Sequence, residues 1–213
     1  MTLPRLYAIL DLDLTLERGL TPLDVLDAWI EAGVRLVQVR GKGRQWSGGP
    51  LLELAEQVIA RARPAGVAII VNDRADVARL AQADGVHVGQ DDLTPEEVRS
   101  IVGPQAVVGL STHSTAQVEA GCRAPVSYLA IGPVFRSSTR MAIAEPIGET
   151  GVAAAATRAR SANLPIVGIG GITLENAPRV IAAGAASVAV ISALVDDDPA
   201  RRARQLLDAL STI

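Results

Sequence analysis

The feature that most restricts the fold is an alternation, repeated eight times, of a short run rich in Val, Ile and Leu with a longer segment of helical period. Strands buried on both faces of a parallel sheet have such continuous apolar runs, and parallel strands need helical connections. We predict strands at RLYAILDL, LVQVR, AIIVN, GVHVG, VVGLST, YLAIGPV, PIVGIGG and SVAVISAL. Eight units without a linker predict one domain over residues 1–213, a single-domain (β/α)₈ TIM barrel. An open doubly wound sheet is the alternative.

Composition restricts the classes of partner. The net charge is −3 and aromatic residues make up 2% of the chain, so nucleic-acid binding is not expected. No apolar run approaches the ~20 residues of a membrane helix, and the first run meets an acid too early for a signal peptide. Cys122 is the single cysteine, which excludes an internal disulfide. We therefore expect a soluble cytoplasmic protein that binds small molecules, with its oligomeric state, a homo-oligomer included, left open.

Lysine is nearly absent from the chain. Of the 20 basic residues, Lys42 is the single lysine and the others are arginines. A site that needs a compact ammonium group rather than a planar guanidinium would retain a lysine in such a chain. The alternative is that Lys42 is a solvated charge without a role.

Carboxylates follow two successive predicted strands: Asp73 comes after AIIVN and Asp92 after GVHVG. Catalytic groups of these barrels lie at the C-terminal ends of strands, and neighbouring strands are about 5 Å apart, so the two acids should converge. Two carboxylates repel unless a proton or a cation lies between them, and Arg40, Lys42 and Arg140 are expected on the same rim. Oxygen ligands without clustered His or Cys favour Mg²⁺ together with phosphate oxygens. The sequence thus predicts a Mg²⁺-pyrophosphate site, with helix capping by each Asp as the alternative.

A second cluster follows the seventh and eighth predicted strands. Gly168, Gly170 and Gly171 allow close approach to the backbone, and Ser192 lies on the adjacent strand. Loops at these positions often bind phosphate in barrels, with help from the amides of the next helix. The alternative is that the glycines serve tight packing between strand and helix.

Few residues of the predicted rim could act as a nucleophile or base. We expect His87 to be a hydrogen-bonded core residue and Cys122 to be structural, whereas His113 could titrate in the site or begin a helix. Chemistry should therefore depend on metal, cations and positioning rather than on a nucleophile–base pair. The long polar segment from Phe135 to Gly151 is predicted to be a lid that orders on substrate binding.

The segments VQVRGK, VNDRADVA, DGVHVGQDDL, GLSTHS, AIGPVFRSSTR, PIVGIGGIT and VAVISAL resemble the thiamine-phosphate synthases and occur in that family's order from Tyr7 to Leu194. The pairing of NDR with GVHVGQDD is specific, whereas GIGGI is shared with many phosphate-binding barrels. The resemblance implies a Mg²⁺-dependent transferase that joins hydroxymethylpyrimidine diphosphate to a thiazole phosphate. In the family, diphosphate leaves first and the thiazole nitrogen then attacks the pyrimidine-methyl cation.

The resemblance also implies roles for individual residues. Asp73 and Asp92 would bind Mg²⁺, and Lys42, Arg140 and Ser111 would be catalytic. Ser111 would contact the pyrimidine substrate, and the diphosphate substrate would be bound by Gln38, Arg40, Lys42 and Asn72. The thiazole phosphate would be surrounded by Ser137 to Thr139, Gly171, Ile191 and Ser192. The complete implied substrate-binding set is Gln38, Val39, Arg40, Gly41, Lys42, Asn72, Ser111, Ser137, Ser138, Thr139, Arg140, Gly171, Ile191 and Ser192.

Three positions depart from the family pattern. The family usually has Thr where Ser137 stands, Lys where Arg140 stands and an acid where Gly41 stands. These changes bear on rate and substrate fit more than on the reaction class. Two alternatives remain: a thiazole tautomerase on the same barrel, with His113 as its proton carrier, and a non-catalytic barrel that binds a thiamine intermediate.

Overall fold

The computed structural model describes residues 2–136 and 145–211. Eight parallel strands close into a barrel in chain order, and the first strand pairs with the last through Leu6 beside Val188. This confirms the predicted (β/α)₈ barrel and excludes the open sheet. The strands are β1 Leu6–Asp11, β2 Leu36–Arg40, β3 Ala68–Asn72, β4 Gly85–Val88, β5 Val107–Thr112, β6 Tyr128–Ile131, β7 Ile166–Ile169 and β8 Ser187–Val190.

Helices cover the outer face of the barrel, and some of them begin at a capping side chain. Thr21 accepts a hydrogen bond from the Asp24 amide at the start of the helix Pro22–Ala32, and Thr94 forms a reciprocal capping box with Glu97 at the start of the helix Pro95–Val102. The α-helices of the described residues are α1 Leu12–Glu17, α2 Pro22–Ala32, α3 Gly49–Ala62, α4 Ala75–Leu80, α5 Pro95–Val102, α6 Thr115–Gly121, α7 Gly148–Arg160, α8 Ala177–Ala182 and α9 Pro199–Ser211. None of them is both long and apolar enough to cross a membrane.

The connection after β6 differs from its prediction at one end. We expected a loop from Phe135 to Gly151, but α7 begins at Gly148 and includes Gly151. Gly148 has a φ of 63°, a left-handed conformation that glycine adopts without strain, and the chain enters the helix there. Residues 137–144 lie outside the described residues, so the lid stays a prediction.

Two layers of buried side chains hold the barrel together. The larger layer lies between strands and helices and contains, among others, Trp29, Val39 and Leu129. A smaller cluster fills the barrel interior with Tyr7, Tyr128 and apolar neighbours. Because side chains alternate along a strand, each strand contributes to both layers. The interior layer also contains the buried polar residues Gln38 and His87, which lie just below the C-terminal rim.

Gly109 makes room for the polar part of this interior. A Cβ atom at Gly109 would overlap the Tyr128 hydroxyl and the His87 ring. We expect Gly109→Ala to lower the free energy of unfolding by about 1–3 kcal/mol, the usual cost of overpacking a core. Urea denaturation of Gly109→Ala should be compared with that of Gly49→Ala, because a Cβ at Gly49 meets no atom within 4 Å. Equal stability of Gly109→Ala and the parent would contradict this packing.

Candidate active site

The C-terminal rim brings together the polar residues at the ends of β2 to β5. Arg40 ends β2, Asn72 ends β3 and Ser111 lies near the end of β5. Asp73 follows β3 with a φ of 59°, a conformation that Asp tolerates better than most residues. Its amide donates to the carbonyl oxygen of His87 at 2.7 Å, which ties the exit of β3 to β4.

Asp73 and Asp92 lie side by side on this rim. Burial raises the pKa of the Asp73 carboxyl, the Lys42 ammonium opposes that change, and Asp92 raises the pKa further by direct contact and like charge. The Asp92 carboxylate also accepts a hydrogen bond from the Gly89 amide at 2.8 Å, which fixes it over the end of β4. The pair is therefore a negative centre that a cation would stabilise.

The carboxylate pair fits Mg²⁺ better than a metal that needs a closed protein site. Within residues 2–136 and 145–211, no group of three or more His, Cys, Asp or Glu side chains is placed to hold a metal ion. Mg²⁺ commonly binds one or two carboxylates and completes its coordination with water and substrate phosphates. Asp73 and Asp92 are the residues that would hold it, and this assignment stays a prediction.

Lys42 reaches the same centre from the loop after β2. Its ammonium forms an ion pair with Asp73, and its side chain is 47% exposed. The ammonium is partly exposed and can turn toward an added anion, whereas the Asp73 side chain is 18% exposed and would need another cation in its place. The structure therefore places a compact, partly exposed cation beside the carboxylate pair.

Asp13 holds the loop that carries Lys42. Its carboxylate accepts hydrogen bonds from the Lys42 amide at 2.8 Å and the Gly43 amide at 3.0 Å. The side chains of Gln45 and Trp46 also donate to it, at 2.7 and 2.9 Å. One carboxylate thus satisfies four donors and gives the loop a defined shape.

We expect Asp13→Ala to loosen this loop without unfolding the barrel. Hydrogen bonds to a charged group contribute about 1.5–3 kcal/mol each, so the Lys42 and Gly43 amides should exchange at least ~10-fold faster. Native-state hydrogen exchange measures this directly. Asp24→Ala, which removes an acid from the first turn of α2, is the matched control. Unchanged exchange at Lys42 in Asp13→Ala would contradict the role of Asp13.

Arg40 is positioned by a second acid of the same region. Its guanidinium pairs with Asp11, whose side chain is 9% exposed. Asp11 also accepts from the Leu14 amide at 3.1 Å and so caps α1. Sequence reasoning missed Asp11 and Asp13 because it examined the ends of the strands from β2 onwards. The segment DLDL at the end of β1 was the available signal.

The structure narrows how two residues of the predicted set could act. The Val39 side chain is buried in the layer between strands and helices because it alternates with Gln38 and Arg40, so substrate binding by Val39 stays a prediction that would involve its backbone. Gly41 stands where the resemblance implies an acid, and a Cβ there would lie 2.6 Å from Trp46 Cγ. The Trp46 ring therefore occupies the space that a side chain at Gly41 would need.

The glycines after β7 serve close packing in this structure. Gly170 and Gly171 have φ values of 98° and 64°, and a Cβ at Gly171 would lie 2.8 Å from the Phe135 carbonyl oxygen. The expected helix does not follow directly, since α8 begins at Ala177. Asn176 instead closes the intervening turn, where its amide group donates to the Gly171 carbonyl oxygen at 2.9 Å.

A cavity of about 230 Å³ lies beside Ser192, between the β7 and β8 exits and α9. Glu175 and Asp196 line it, and its cation Arg202 already donates to Asp196 at 2.6 Å. This charge distribution does not favour a phosphate. Neither Asp73 nor Asp92 lines this cavity.

The remaining candidates fall into three groups. Ile191 packs against the interior cluster, at the barrel mouth. His113 lies after β5 as expected, with its Nδ1 2.7 Å from the Gly132 carbonyl oxygen, and Cys122 ends α6 with a thiol pKa raised by burial. Predicted residues outside the described part of the chain are Ser137, Ser138, Thr139 and Arg140.

His87 is the core residue that the sequence predicted. It is buried and forms hydrogen bonds through both ring nitrogens, to Tyr128 and to Ser111. Desolvation lowers its pKa to about 4, although the charge of Asp92 acts in the opposite direction. The imidazole is therefore neutral at neutral pH.

Comparison with known proteins gives a consistent result. A sequence model described as thiamine monophosphate synthase matches residues 6–194. A thiamine-phosphate synthase of Koribacter versatilis is 43% identical over 212 residues, which cover 99% of this chain and 97% of that protein. Another from Azorhizobium caulinodans is 41% identical, covering 97% of this chain and 95% of that protein.

Solved structures agree with the sequence matches. Thiamine phosphate pyrophosphorylase from Pyrococcus furiosus superposes with a TM-score of 0.84 at 27% identity, covering 98% of this chain and 96% of that one. Fold, motif order and sequence identity thus point to one group of proteins. The chain belongs to the thiamine monophosphate synthase family.

Proposed function

We propose that the protein is a thiamine-phosphate synthase, which joins hydroxymethylpyrimidine diphosphate to a thiazole phosphate and releases diphosphate. The observation that carries the proposal is the contact between Asp73 and Asp92 with Lys42 beside them. Paired carboxylates with an adjacent cation suit a divalent ion and a diphosphate together. Family membership supplies the identity of the two substrates.

The reaction needs departure of an anion more than proton transfer. The bond between the pyrimidine methylene carbon and the diphosphate oxygen breaks, and its electron pair leaves with diphosphate. The thiazole nitrogen then uses its lone pair to form the new carbon–nitrogen bond, which gives the thiazolium of thiamine phosphate. No proton has to move, which agrees with the neutral, fully hydrogen-bonded His87 at the rim.

Residues of this chain would stabilise the leaving diphosphate in two ways. Arg40, held by Asp11, offers a fixed guanidinium, and Lys42 can move from Asp73 to an oxygen of the leaving group. Mg²⁺, held by Asp73 and Asp92, would act as a Lewis acid on the same charge. Asn72, at the end of β3, is proposed to contact the same substrate.

The thiazole phosphate is proposed to bind on the opposite part of the rim. The resemblance assigns this role to Gly171, Ile191 and Ser192 together with the segment from Ser137 to Thr139. Gly171 lies close to the Phe135 carbonyl, so the β7 loop is next to the residue two positions before that segment. This proximity supports the proposal that the two segments bind one phosphate.

The two alternative functions, a thiazole tautomerase and a non-catalytic binding barrel, do not require the carboxylate pair of Asp73 and Asp92. A thiazole tautomerase needs a proton carrier, and His113 is the candidate, but that reaction involves no diphosphate. A binding barrel needs neither Lys42 nor a metal ion. Neither is favoured by a specific observation at the rim.

The experiment is to incubate purified protein with both substrates and Mg²⁺. We expect thiamine phosphate and diphosphate in equal amounts, detected by mass spectrometry and a coupled diphosphate assay. Conversion of one thiazole isomer to another without the pyrimidine substrate would support the tautomerase instead. Binding of a substrate without any product would support the non-catalytic binding barrel.

A further inference from the structure

A row of five hydrogen-bonded polar side chains crosses the barrel interior below the rim. The Gln38 amide group donates to the Tyr7 hydroxyl at 2.8 Å, and the Tyr7 and Tyr128 hydroxyls are 2.9 Å apart. The Tyr128 hydroxyl is 2.9 Å from His87 Nδ1, and His87 Nε2 is 2.8 Å from Ser111 Oγ. The row therefore joins β2 to β5 and ends at a residue of the predicted pyrimidine site.

This row is embedded in an apolar interior. The two tyrosine rings meet edge to face with centroids 6.0 Å apart, and the His87 ring stacks on Tyr128 at 5.5 Å. Gly109 lacks the side chain that would collide with them. Polar groups buried in this way are costly unless each one is hydrogen-bonded. An apolar filling of the same space would have avoided that requirement.

Each member of the row has a limited number of protons. Burial raises the pKa of Tyr7 and of Tyr128, so both hydroxyls are neutral and each donates one hydrogen bond. The Tyr7 hydroxyl accepts from the Gln38 amide group, and among the described contacts the Tyr128 hydroxyl is the one acceptor within reach of the Tyr7 proton, so Tyr7 donates to Tyr128. Tyr128 is then left to donate to His87 Nδ1, which makes Nδ1 the bare nitrogen.

The same reasoning fixes the last bond. With Nδ1 bare and the ring neutral, His87 carries its proton on Nε2 and donates to Ser111 Oγ. Ser111 pairs with Ala130 in the register, one layer nearer the rim than the Gly109–Tyr128 pair, so Nε2 is the rim-side nitrogen. Ser111 keeps its own proton for a ligand.

We infer that Gln38, Tyr7, Tyr128 and His87 form an oriented hydrogen-bond relay that sets Ser111 as a donor toward bound substrate. His87, Tyr128 and Tyr7 are thus positioning residues. The role in catalysis rests on the proposed function, because it is the pyrimidine substrate that Ser111 would contact. The direction of the relay is a property of the protein alone and can be measured without substrate.

Histidine tautomers report this direction, and the chain has two histidines that should differ. His113 Nδ1 lies 2.7 Å from the Gly132 carbonyl oxygen, so it must carry a proton. We expect His87 to be protonated on Nε2 alone and His113 on Nδ1. Long-range ¹H–¹⁵N correlation spectra distinguish a bare from a protonated ring nitrogen, and His113→Gln assigns the remaining signals to His87. Protonation of His87 on Nδ1, or averaged nitrogen shifts, would overturn the inference.

Two hydroxyl deletions separate the relay from general packing. Tyr128→Phe removes the donor to Nδ1, so His87 should lose its single tautomer. Tyr7→Phe deletes a hydroxyl 2.9 Å further along and leaves that donor in place, so the tautomer should persist. Unchanged His87 shifts in Tyr128→Phe would contradict the relay, and the spectrum of the parent protein tests it even if this variant does not fold.

Kinetics test the link to the reaction. We expect Tyr128→Phe to lower kcat/KM for hydroxymethylpyrimidine diphosphate about 10-fold, while KM for the thiazole phosphate changes little. An equal loss of kcat/KM for both substrates would show that the relay does not act through the position of Ser111. The predicted tautomer in a protein without synthase activity would instead leave the relay standing and reject the proposed function.

Discussion

Replacement of Asp73 by Asn is expected to reduce Mg²⁺-dependent turnover by ~10²-fold or more while the barrel stays folded, because the group acts on developing charge. Asp73 is half-buried at the rim, where it contacts Asp92 and Lys42. An amide of the same size removes one negative charge from the pair and one ligand for the cation. Asp92→Asn should have an effect of the same order.

Asp91→Asn is the matched control for this prediction. Asp91 is the exposed neighbour of Asp92, and its replacement by Asn removes the same charge from the same loop. Its turnover should stay close to that of the parent, and circular dichroism should show that all three variants are folded. If Asp73→Asn turns over nearly as fast as the parent, the assignment of Asp73 as a metal ligand is wrong.

Replacement of Lys42 by Ala is expected to lower kcat by ~10²-fold or more and to change thiazole-phosphate affinity little. The ammonium lies against Asp73 and is proposed to follow the departing diphosphate. Lys42→Arg should also be impaired, since a guanidinium is wider and planar. Single-turnover formation of thiamine phosphate measures the chemical step in both variants.

Arg44→Ala controls for the loss of a positive charge from the same loop, because Arg44 is exposed two residues further on. It should retain most activity. Arg140→Lys introduces the residue usual in the family and should retain or raise activity. A Lys42→Arg variant as fast as the parent would show that the single lysine of the chain is a solvated charge without a special role.

The barrel could be predicted from the sequence because each strand is an apolar run and each helix has a periodic face. The same regularity predicted that Asp73 and Asp92 would meet, since both follow successive strands of one parallel sheet. Strand ends on a rim are a consequence of topology alone. That part of the site therefore needed no knowledge of side-chain contacts.

Other parts of the site depend on partners that are remote in sequence. Asp13 of α1 holds the loop of Lys42, which is 29 positions away in sequence, and Trp46 excludes a side chain at Gly41. The direction of Val39 follows from strand alternation, but the resemblance treated 38–42 as one binding segment. Motif matching assigns whole segments, whereas alternation assigns the direction of each side chain, so substrate binding by Val39 would involve its backbone.

The interior hydrogen-bond relay could not be predicted from the sequence either. His87 was predicted to be a satisfied core residue, and nothing in GVHVG indicated which groups satisfy it. Tyr7 of β1 contacts Tyr128 of β6, and Tyr128 contacts His87 of β4, because the closed barrel brings these strands around one interior. Such partners become visible only in three dimensions, because barrel closure fixes which side chains share a layer.

The central claim, that a divalent cation and diphosphate meet at Asp73 and Asp92, is tested most directly by binding of Mn²⁺ as a paramagnetic substitute for Mg²⁺. Electron paramagnetic resonance should detect one Mn²⁺ bound per chain when diphosphate is present in excess over protein. We predict that Asp73→Asn weakens this binding by at least ~10-fold, since loss of a group that only supports a metal ligand already costs about 10–100-fold, while Asp91→Asn leaves it unchanged. Equal Mn²⁺ affinity in Asp73→Asn and the parent would contradict the claim.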